Sequence, residues 1–260
     1  MSVIALLTDF GTSDWFTAEI KAVIYNILPD AAVIDITHEI NPGDIVCAAF
    51  ILKASYKSFP KGTIFCTPVD PDTSGSTIPV AIQTNEYFFV GPDNGSASWA
   101  IENEPIKSIV KISDIRYFRD PFSMTFRGRD IFAPVCAHLA NGLPINSLGP
   151  ALSSYKHIPF PEPDFDHNTF FGTVLYVDHF GNVITNINSR SLSGNFNRVK
   201  IKSPEINIEL PFAASYSSVI KGEGLVYSGS TGLVEIGVNS GNAAKIFRLH
   251  YNEKIELTFF

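Results

Sequence analysis

Only three cysteines occur in the 260 residues. Cys47, Cys66 and Cys136 lie far apart in apolar surroundings with no CxxC pair. That excludes a disulfide framework, a zinc ribbon and a thioredoxin-type redox motif. No apolar run approaches the ~18 residues of a membrane span, and no charged region leads into a signal core. The expectation is a cytoplasmic protein with no membrane partner. Charged residues make up 17% of the chain, with a formal net charge of −7. Lys and Arg are scattered, so there is no basic face for phosphates and no nucleic-acid partner is expected. The histidines (His38, His138, His157, His167, His179, His250) show no i, i+4 pairing and no cysteine partners, which argues against a metal site. Also missing are a Gly-x-Ser-x-Gly elbow, a Walker loop and a full GxGxxG. Serine-hydrolase, NTPase and ordinary dehydrogenase readings therefore lack their central residues. Internal repeats and low-complexity segments are absent too.

The 45% hydrophobic content suffices for a full globular core. In the first half, strands alternate with helices. An apolar run from Val3 to Leu7 reads as a buried strand, as does the run from Ala32 to Ile36. Between them Phe16, Ile20, Val23, Ile24 and Ile27 recur at helical spacing until Pro29. Asp44 is placed to cap a second helix carrying Ile45, Ala48, Ala49, Leu52 and Tyr56 on one face. Further strands are predicted at 63–67, 79–83, 87–90 and 106–112, and a helix at 130–140 with Pro134 in its first turn. This alternation predicts a doubly wound, largely parallel α/β domain over residues 1–155. The proline-dense stretch from His157 to Pro163 continues neither kind of element, so 156–168 reads as a linker. After it, short strand-like runs at 172–177, 183–187, 199–201, 206–210, 225–227, 233–236 and 255–259 predict a smaller all-β domain over 169–260, without a convincing helix.

Several loops carry concentrated polar chemistry. Asp9, in Leu6-Leu7-Thr8-Asp9-Phe10-Gly11, ends the first strand, where ligands of open α/β sheets collect. It suits a sugar diol or a cation; equally, it suits a tight turn in which the carboxylate bonds local amides. An Asp-Phe-Gly also occurs in protein kinases, but no Gly-rich loop or His-Arg-Asp loop accompanies it here. The loop Val69-Asp70-Pro71-Asp72-Thr73-Ser74-Gly75-Ser76-Thr77 could orient a nucleophilic water or bind an anion, or be a solvated turn. Asp178-His179-Phe180-Gly181-Asn182 suits an amine-bearing, adenine-like ligand, or a plain hairpin turn.

Taken together and in order, the motifs are more specific. They are Thr8-Asp9-Phe10-Gly11, Asp35-Ile36-Thr37-His38, Val69-Asp70-Pro71, Gly91-Pro92-Asp93-Asn94-Gly95, Gly128-Arg129-Asp130-Ile131-Phe132-Ala133-Pro134, Phe180-Gly181-Asn182 and Asn239-Ser240-Gly241-Asn242-Ala243. Their set closely resembles the S-adenosylmethionine (SAM) hydroxide adenosyltransferase family, the SAM hydrolases related to fluorinases and chlorinases. The resemblance covers nearly the whole chain.

It implies attack of water or hydroxide on C5′ of SAM, giving adenosine and L-methionine, with SAM as substrate and no cofactor. It also implies a homotrimer, with the ligand between the α/β domain of one subunit and the β domain of its neighbour. Carried over by position, Asp9 would bind the ribose hydroxyls, and Asp14 and Asp178 the methionine ammonium. Phe180, Asn182 and Ser240 match adenine-site positions, and Tyr216 an aromatic that stacks on the base. Ser230 and Thr231 fall where the methionine carboxylate is held. Thr73, Phe126, Gly128 and Asn239 complete the implied substrate-binding set. Halogenase relatives carry a serine at the position of Gly128 or lack the Asp70 carboxylate.

The implied catalytic set is Asp70, Arg127, Asp72 and Thr77, and here the chain departs from the family pattern. The hydrolase branch has an Asp–Arg–His arrangement around the water. In this chain Asp70 holds the Asp position, but Thr77 stands at the Arg position and Arg127 at the His position. Three readings stay open. Arg127 could supply the charge with Asp70 or Asp72 as base; the protein could bind SAM or adenosine without turnover; or another nucleophile such as halide could be used.

Overall fold

The computed structural model describes residues 2–72 and 74–260. Two compact units divide the chain between Pro159 and Phe160, inside the proline-dense stretch.

The first unit is a six-stranded sheet in the order β2-β1-β3-β5-β4-β6. Its strands are β1 (Val3–Leu7), β2 (Ala32–Thr37), β3 (Ile64–Cys66), β4 (Pro79–Thr84), β5 (Phe88–Pro92) and β6 (Ile106–Lys111). The strands β2, β1, β3 and β5 run parallel, while β4 is antiparallel to both its neighbours. The fold is the expected largely parallel α/β sheet with one reversed strand. The reversal arises because β4 and β5 are joined by three residues, too few for a crossover.

Alternating strand residues point to opposite faces, and both faces are covered. Helices α1 (Phe16–Ile27) and α4 (Ala133–Ala140) share one core with Ile4, Leu6, Ile64, Cys66 and Val90. On the intervening residues, Phe65 stacks on Phe89 at 5.2 Å and meets Tyr56, just beyond α2 (Ile45–Ser55), at 6.5 Å. Helix α1 buries Ile20, Val23 and Ile24, as its spacing predicts, and Asp44 caps α2 by accepting from Cys47 N at 2.9 Å. A short helix, α3 (Ser98–Ile101), follows β5. The expected helix at 130–140 starts differently. Gly128–Phe132 forms a π-type turn, and α-helical geometry begins at Ala133. Such turns insert an extra residue and re-aim the neighbouring side chains.

The second unit is an antiparallel sheet in the order β11-β10-β14-β8-β9-β13-β12, with β7 also paired to β8. Its strands are β7 (Asp164–Asp166), β8 (Thr169–Val177), β9 (Val183–Asn188), β10 (Arg198–Lys202), β11 (Asn207–Pro211), β12 (Gly224–Ser228), β13 (Leu233–Val238) and β14 (Lys254–Phe259). Val174, Val183, Val226, Val234, Ile236 and Leu257 are among the core residues on its buried face. Two features differ from the sequence reading. Residues Asp164–Asp166, within the stretch read as linker, pair as a strand. A helix is also present, α5 (Ala243–Phe247), with Asn242 accepting from Lys245 N at 2.8 Å as its cap. Five residues are too few for the 3.6-residue period to stand out, which is why the sequence pattern missed it. Among the described residues no helix is long and apolar enough to cross a membrane.

Candidate active site

In the α/β unit, the carboxyl ends of the parallel strands feed the loops that bear Asp9, His38, Asp70 and Asn94. These loops are tied to one another. Thr8 Oγ1 and His38 Nδ1 are 2.8 Å apart, and Gly11 N donates to His38 O at 2.7 Å. Asn94 Nδ2 donates to Val69 O at 2.9 Å, steadying the residue just before Asp70. Asp9 Oδ2 accepts from Gly43 N at 2.8 Å. The partner belongs to a distant loop, so Asp9 is more than a local turn. Burial pushes the Asp9 carboxyl above its ordinary value, the Gly43 hydrogen bond works against that rise, and the nearby Asp70 charge adds to it.

Asp70, Thr77 and Arg127 come together although 57 positions of sequence separate the outer two. Arg127 Nη1 lies 3.5 Å from Asp70 Oδ2, and the two side chains are only 9% and 14% exposed. Arg127 Nη2 donates to Thr77 O at 2.6 Å, and Thr77 Oγ1 is 3.4 Å from Asp70 Oδ1. Arg127 Nε and Asp70 Oδ2 are buried without a protein hydrogen-bond partner. Buried polar atoms of this kind are uncommon and mark places where a ligand or water can be held. Burial also lowers the Arg127 pKa, opposed by the charges of Asp70 and Asp72.

Asp72 is different. Its carboxylate accepts from Ser74 N at 2.8 Å, Ser76 Oγ at 2.7 Å, Thr77 N at 3.0 Å and Thr77 Oγ1 at 3.1 Å, and also from Ser74 Oγ. The Ser74 and Ser76 hydroxyls hold it far below the usual carboxylate range. A carboxylate so occupied is a loop staple and a poor proton acceptor. Thr73 lies outside the described residues.

The segment bearing Arg127 is anchored by a fully buried carboxylate. Asp130 accepts from Ser123 N at 2.7 Å and from Arg129 Nε and Nη2 at 2.6 and 2.9 Å. Arg129 in turn reaches Glu19 on α1 at 3.2 Å. Phe126 packs edge-on to Phe10 and Phe16, with ring centroids 5.7 and 5.2 Å away. A Cβ at Gly128 would stand 2.9 Å from the Phe10 ring, so the close approach of that ring requires glycine. A serine at this position could not be accommodated without moving Phe10. Asp14 is exposed on the loop before α1.

The β unit carries its own constellation. Asp178, in the β8–β9 turn, accepts from Asn182 N and Nδ2, both at 2.8 Å. Phe180, 73% exposed, stands at the turn's tip. Phe180, Asn182, Tyr216 and Ser240 line one open pocket of about 380 Å³ together with Val238 and Gly241. That volume lies within the usual range for small-molecule sites. Asn239 works from behind, its Nδ2 donating to Tyr216 O at 3.1 Å and Val219 O at 2.9 Å, which holds the turn bearing Tyr216. Ser230 and Thr231 are exposed in the β12–β13 turn and do not line this pocket.

Two family models match the chain, the N-terminal domain of SAM hydroxide adenosyltransferases over residues 4–149 and their C-terminal domain over 172–256. The chain belongs to the SAM hydroxide adenosyltransferase family. Its relatives include an (R)-S-adenosyl-L-methionine hydrolase of Salinispora tropica, 31% identical over 98% of this chain and 97% of that protein. A fluorinase of Actinoplanes is 26% identical over 98% of this chain and 96% of its own length. The crystal structure of an uncharacterized conserved protein from Thermotoga maritima superposes with a TM-score of 0.92 at 34% identity, covering 99% of this chain and 100% of that one.

Reasoning from sequence missed three residues behind this family member's β-unit pocket: Tyr227, Glu235 and Gly237. Tyr227 and Glu235 face each other across β12 and β13. Glu235, 7% exposed, is the lone charge in the apolar run Leu233–Val238. A carboxylate in such a strand was the available signal, because ionisable groups are seldom buried without a purpose.

Proposed function

We propose that this protein cleaves SAM by hydrolysis, yielding adenosine and L-methionine. Water attacks C5′, the C5′–S bond breaks with its electron pair passing to sulfur, and the water proton passes to Asp70. The sulfonium charge is quenched as the bond breaks, so a site poor in water favours the step. One observation carries the reading. Asp70 Oδ2, ion-paired with Arg127 Nη1 at 3.5 Å, and Arg127 Nε are both buried with no protein hydrogen-bond partner, and a water bridging them would satisfy both. Arg127 stays protonated at working pH and cannot be the base. It acts by charge, orienting the water beside the Asp70 carboxylate. Thr77 accepts the guanidinium through its backbone oxygen. Asp9 would take the ribose hydroxyls, Asp14 and Asp178 the ammonium, Ser230 and Thr231 the carboxylate of methionine, and the Phe180–Tyr216 pocket the adenine.

The higher identity to the Salinispora hydrolase than to the Actinoplanes fluorinase supports water over halide as nucleophile. We also propose a homotrimer in which the ligand is shared between the α/β unit of one subunit and the β unit of its neighbour. Trp15 and Phe180, 63% and 73% exposed, sit next to or near candidate ligand residues on separate units, and exposed aromatics of this kind are enriched in interfaces. The cytoplasm is the proposed compartment, supported by the free thiols of Cys47, Cys66 and Cys136. The scheme uses no cofactor.

The deciding experiment incubates the protein with SAM and separates products by chromatography, with halide present and absent. Adenosine and methionine released in equal amounts, independent of halide, are expected. Tight SAM or adenosine binding without release above the uncatalysed background would leave a binding protein; a halogenated nucleoside would make halide the nucleophile.

A further inference from the structure

The motif Asp35-Ile36-Thr37-His38 takes no part in the chemistry above, yet the chain folds it onto the turn that carries Asp9. Strands β1 and β2 stay in register up to Leu6 and Asp35; Leu7 then pairs with Thr37, so Ile36 is skipped. Bulges of this kind are rare between parallel strands, and beside active sites they re-aim side chains. Here the shift lets Thr37 O accept from Thr8 N at 3.0 Å. It also brings the His38 ring onto the Thr8 hydroxyl, with Nδ1 and Oγ1 2.8 Å apart. Both residues are buried, at 5% and 0% exposure.

The far side of the ring sets which nitrogen carries the proton. His38 Nε2 lies 3.1 Å from Asp35 Oδ1, and Asp35 Oδ2 accepts from Lys21 Nζ at 2.6 Å. The approach of Nε2 to Asp35 is close without the alignment of a hydrogen bond, but a carboxylate at that distance favours the N–H on Nε2. A neutral ring of that tautomer accepts at Nδ1 and takes the Thr8 hydroxyl proton. The Thr8 oxygen then turns its lone pairs to Phe10 N, which donates to it at 3.3 Å and closes a turn around Asp9. Gly11 N donates to His38 O at 2.7 Å and clamps the other side of that turn.

We infer that His38 is a positioning residue: braced by Asp35 and Lys21, it fixes the Thr8 hydroxyl and so presets the Asp9 carboxylate for the ribose hydroxyls. The inference rests on the ribose reading of Asp9. Without the imidazole, the Thr8 hydroxyl is free to rotate and the carboxylate is left to its tether on Gly43 N at 2.8 Å. A displacement of about 1 Å is enough to spoil contacts to a sugar diol while leaving the rest of a nucleoside site untouched.

The test is calorimetric binding of adenosine and 2′,3′-dideoxyadenosine, which lacks the diol, to the full-length protein and its variants. Wild type should prefer adenosine by about 100-fold or more. His38→Ala should cut that preference by about tenfold or more through weaker adenosine binding, with the dideoxynucleoside unaffected. Thr8→Val keeps the side-chain shape, removes the hydroxyl and should do the same. His38→Asn sets an amide near the position of Nδ1, able to accept from or donate to Thr8, and should restore the preference to within about threefold of wild type. A purely structural role would weaken both nucleosides together and leave their ratio unmoved. Folded His38→Ala and Thr8→Val proteins that keep the ratio within about twofold of wild type would overturn the inference while leaving the ribose reading of Asp9 intact. An asparagine variant as poor as the alanine one would also overturn it. A wild type that binds the two nucleosides alike would remove the ribose reading, and the inference with it.

Discussion

At Asp70 and Arg127, opposite charges are held 3.5 Å apart in surroundings that exclude most solvent. A bare ion pair of this kind is weak evidence for stability, because desolvation offsets the attraction. Its value lies in chemistry. Asp70→Asn keeps the shape and removes the base, so turnover should fall by about 10²–10⁴-fold with adenosine affinity within a few-fold. Single-turnover adenosine release alongside calorimetry checks this, and retained turnover would transfer the base elsewhere. Asp9 makes a second prediction with a definite sign. Its folded pKa is raised above 3.8 by burial, so the folded state holds this proton more tightly than the unfolded chain. Stability from Asp9 is therefore fully present below its unfolded pKa and is lost as pH rises through the folded value. At neutral pH the ionised carboxylate opposes folding. Asp9→Asn should raise Tm at pH 7, and the gain should vanish near pH 4. A Tm difference equal at both pH values, measured by scanning calorimetry, would contradict it.

Among the elements, β13 and the π-type turn place the chemistry. The turn at Gly128–Phe132 aims Arg127 toward Asp70 while Asp130 and Arg129 fix its other side. Strand β13 presents Glu235 and Gly237 to the groups behind the pocket, because residues two apart share a strand face. Gly237→Ala would drive a methyl into the Tyr216 and Tyr227 rings. Asn239 holds the Tyr216 turn from behind, so the ring cannot simply withdraw. Overpacking of this kind costs about 1–3 kcal/mol, and adenosine affinity should drop by about tenfold or more. Titration of the folded variant checks this. Unchanged affinity would mean that the pocket tolerates displacement of Tyr216.

For the whole molecule, the prediction concerns assembly. Sedimentation at micromolar concentration should show three times the monomer mass, and dilution below the assembly constant should reduce SAM cleavage. A monomer that still binds adenosine and turns over would refute the shared-subunit proposal. Dialysis against EDTA should leave the rate unchanged.

The α/β-then-β order, the helix of Ile20, Val23 and Ile24, and the Asp44 cap were legible in the sequence, because periodicity and capping are local properties. So was the grouping of Phe180, Asn182, Tyr216 and Ser240, though only through resemblance to a family. The reversed strand β4, the π-type turn and the short helix α5 were not, since hydrophobic periodicity carries neither strand direction nor a π-type turn, and the five residues of α5 are too few for a helical period to stand out. Asp72 illustrates the same limit. By composition it equals Asp70, and only the folded loop shows one carboxylate stapled by hydroxyls and the other left facing a buried guanidinium. The sequence by itself determined the elements and the family; the tertiary structure decided which polar atoms are satisfied and which stand free, because that depends on distances between residues far apart in the chain.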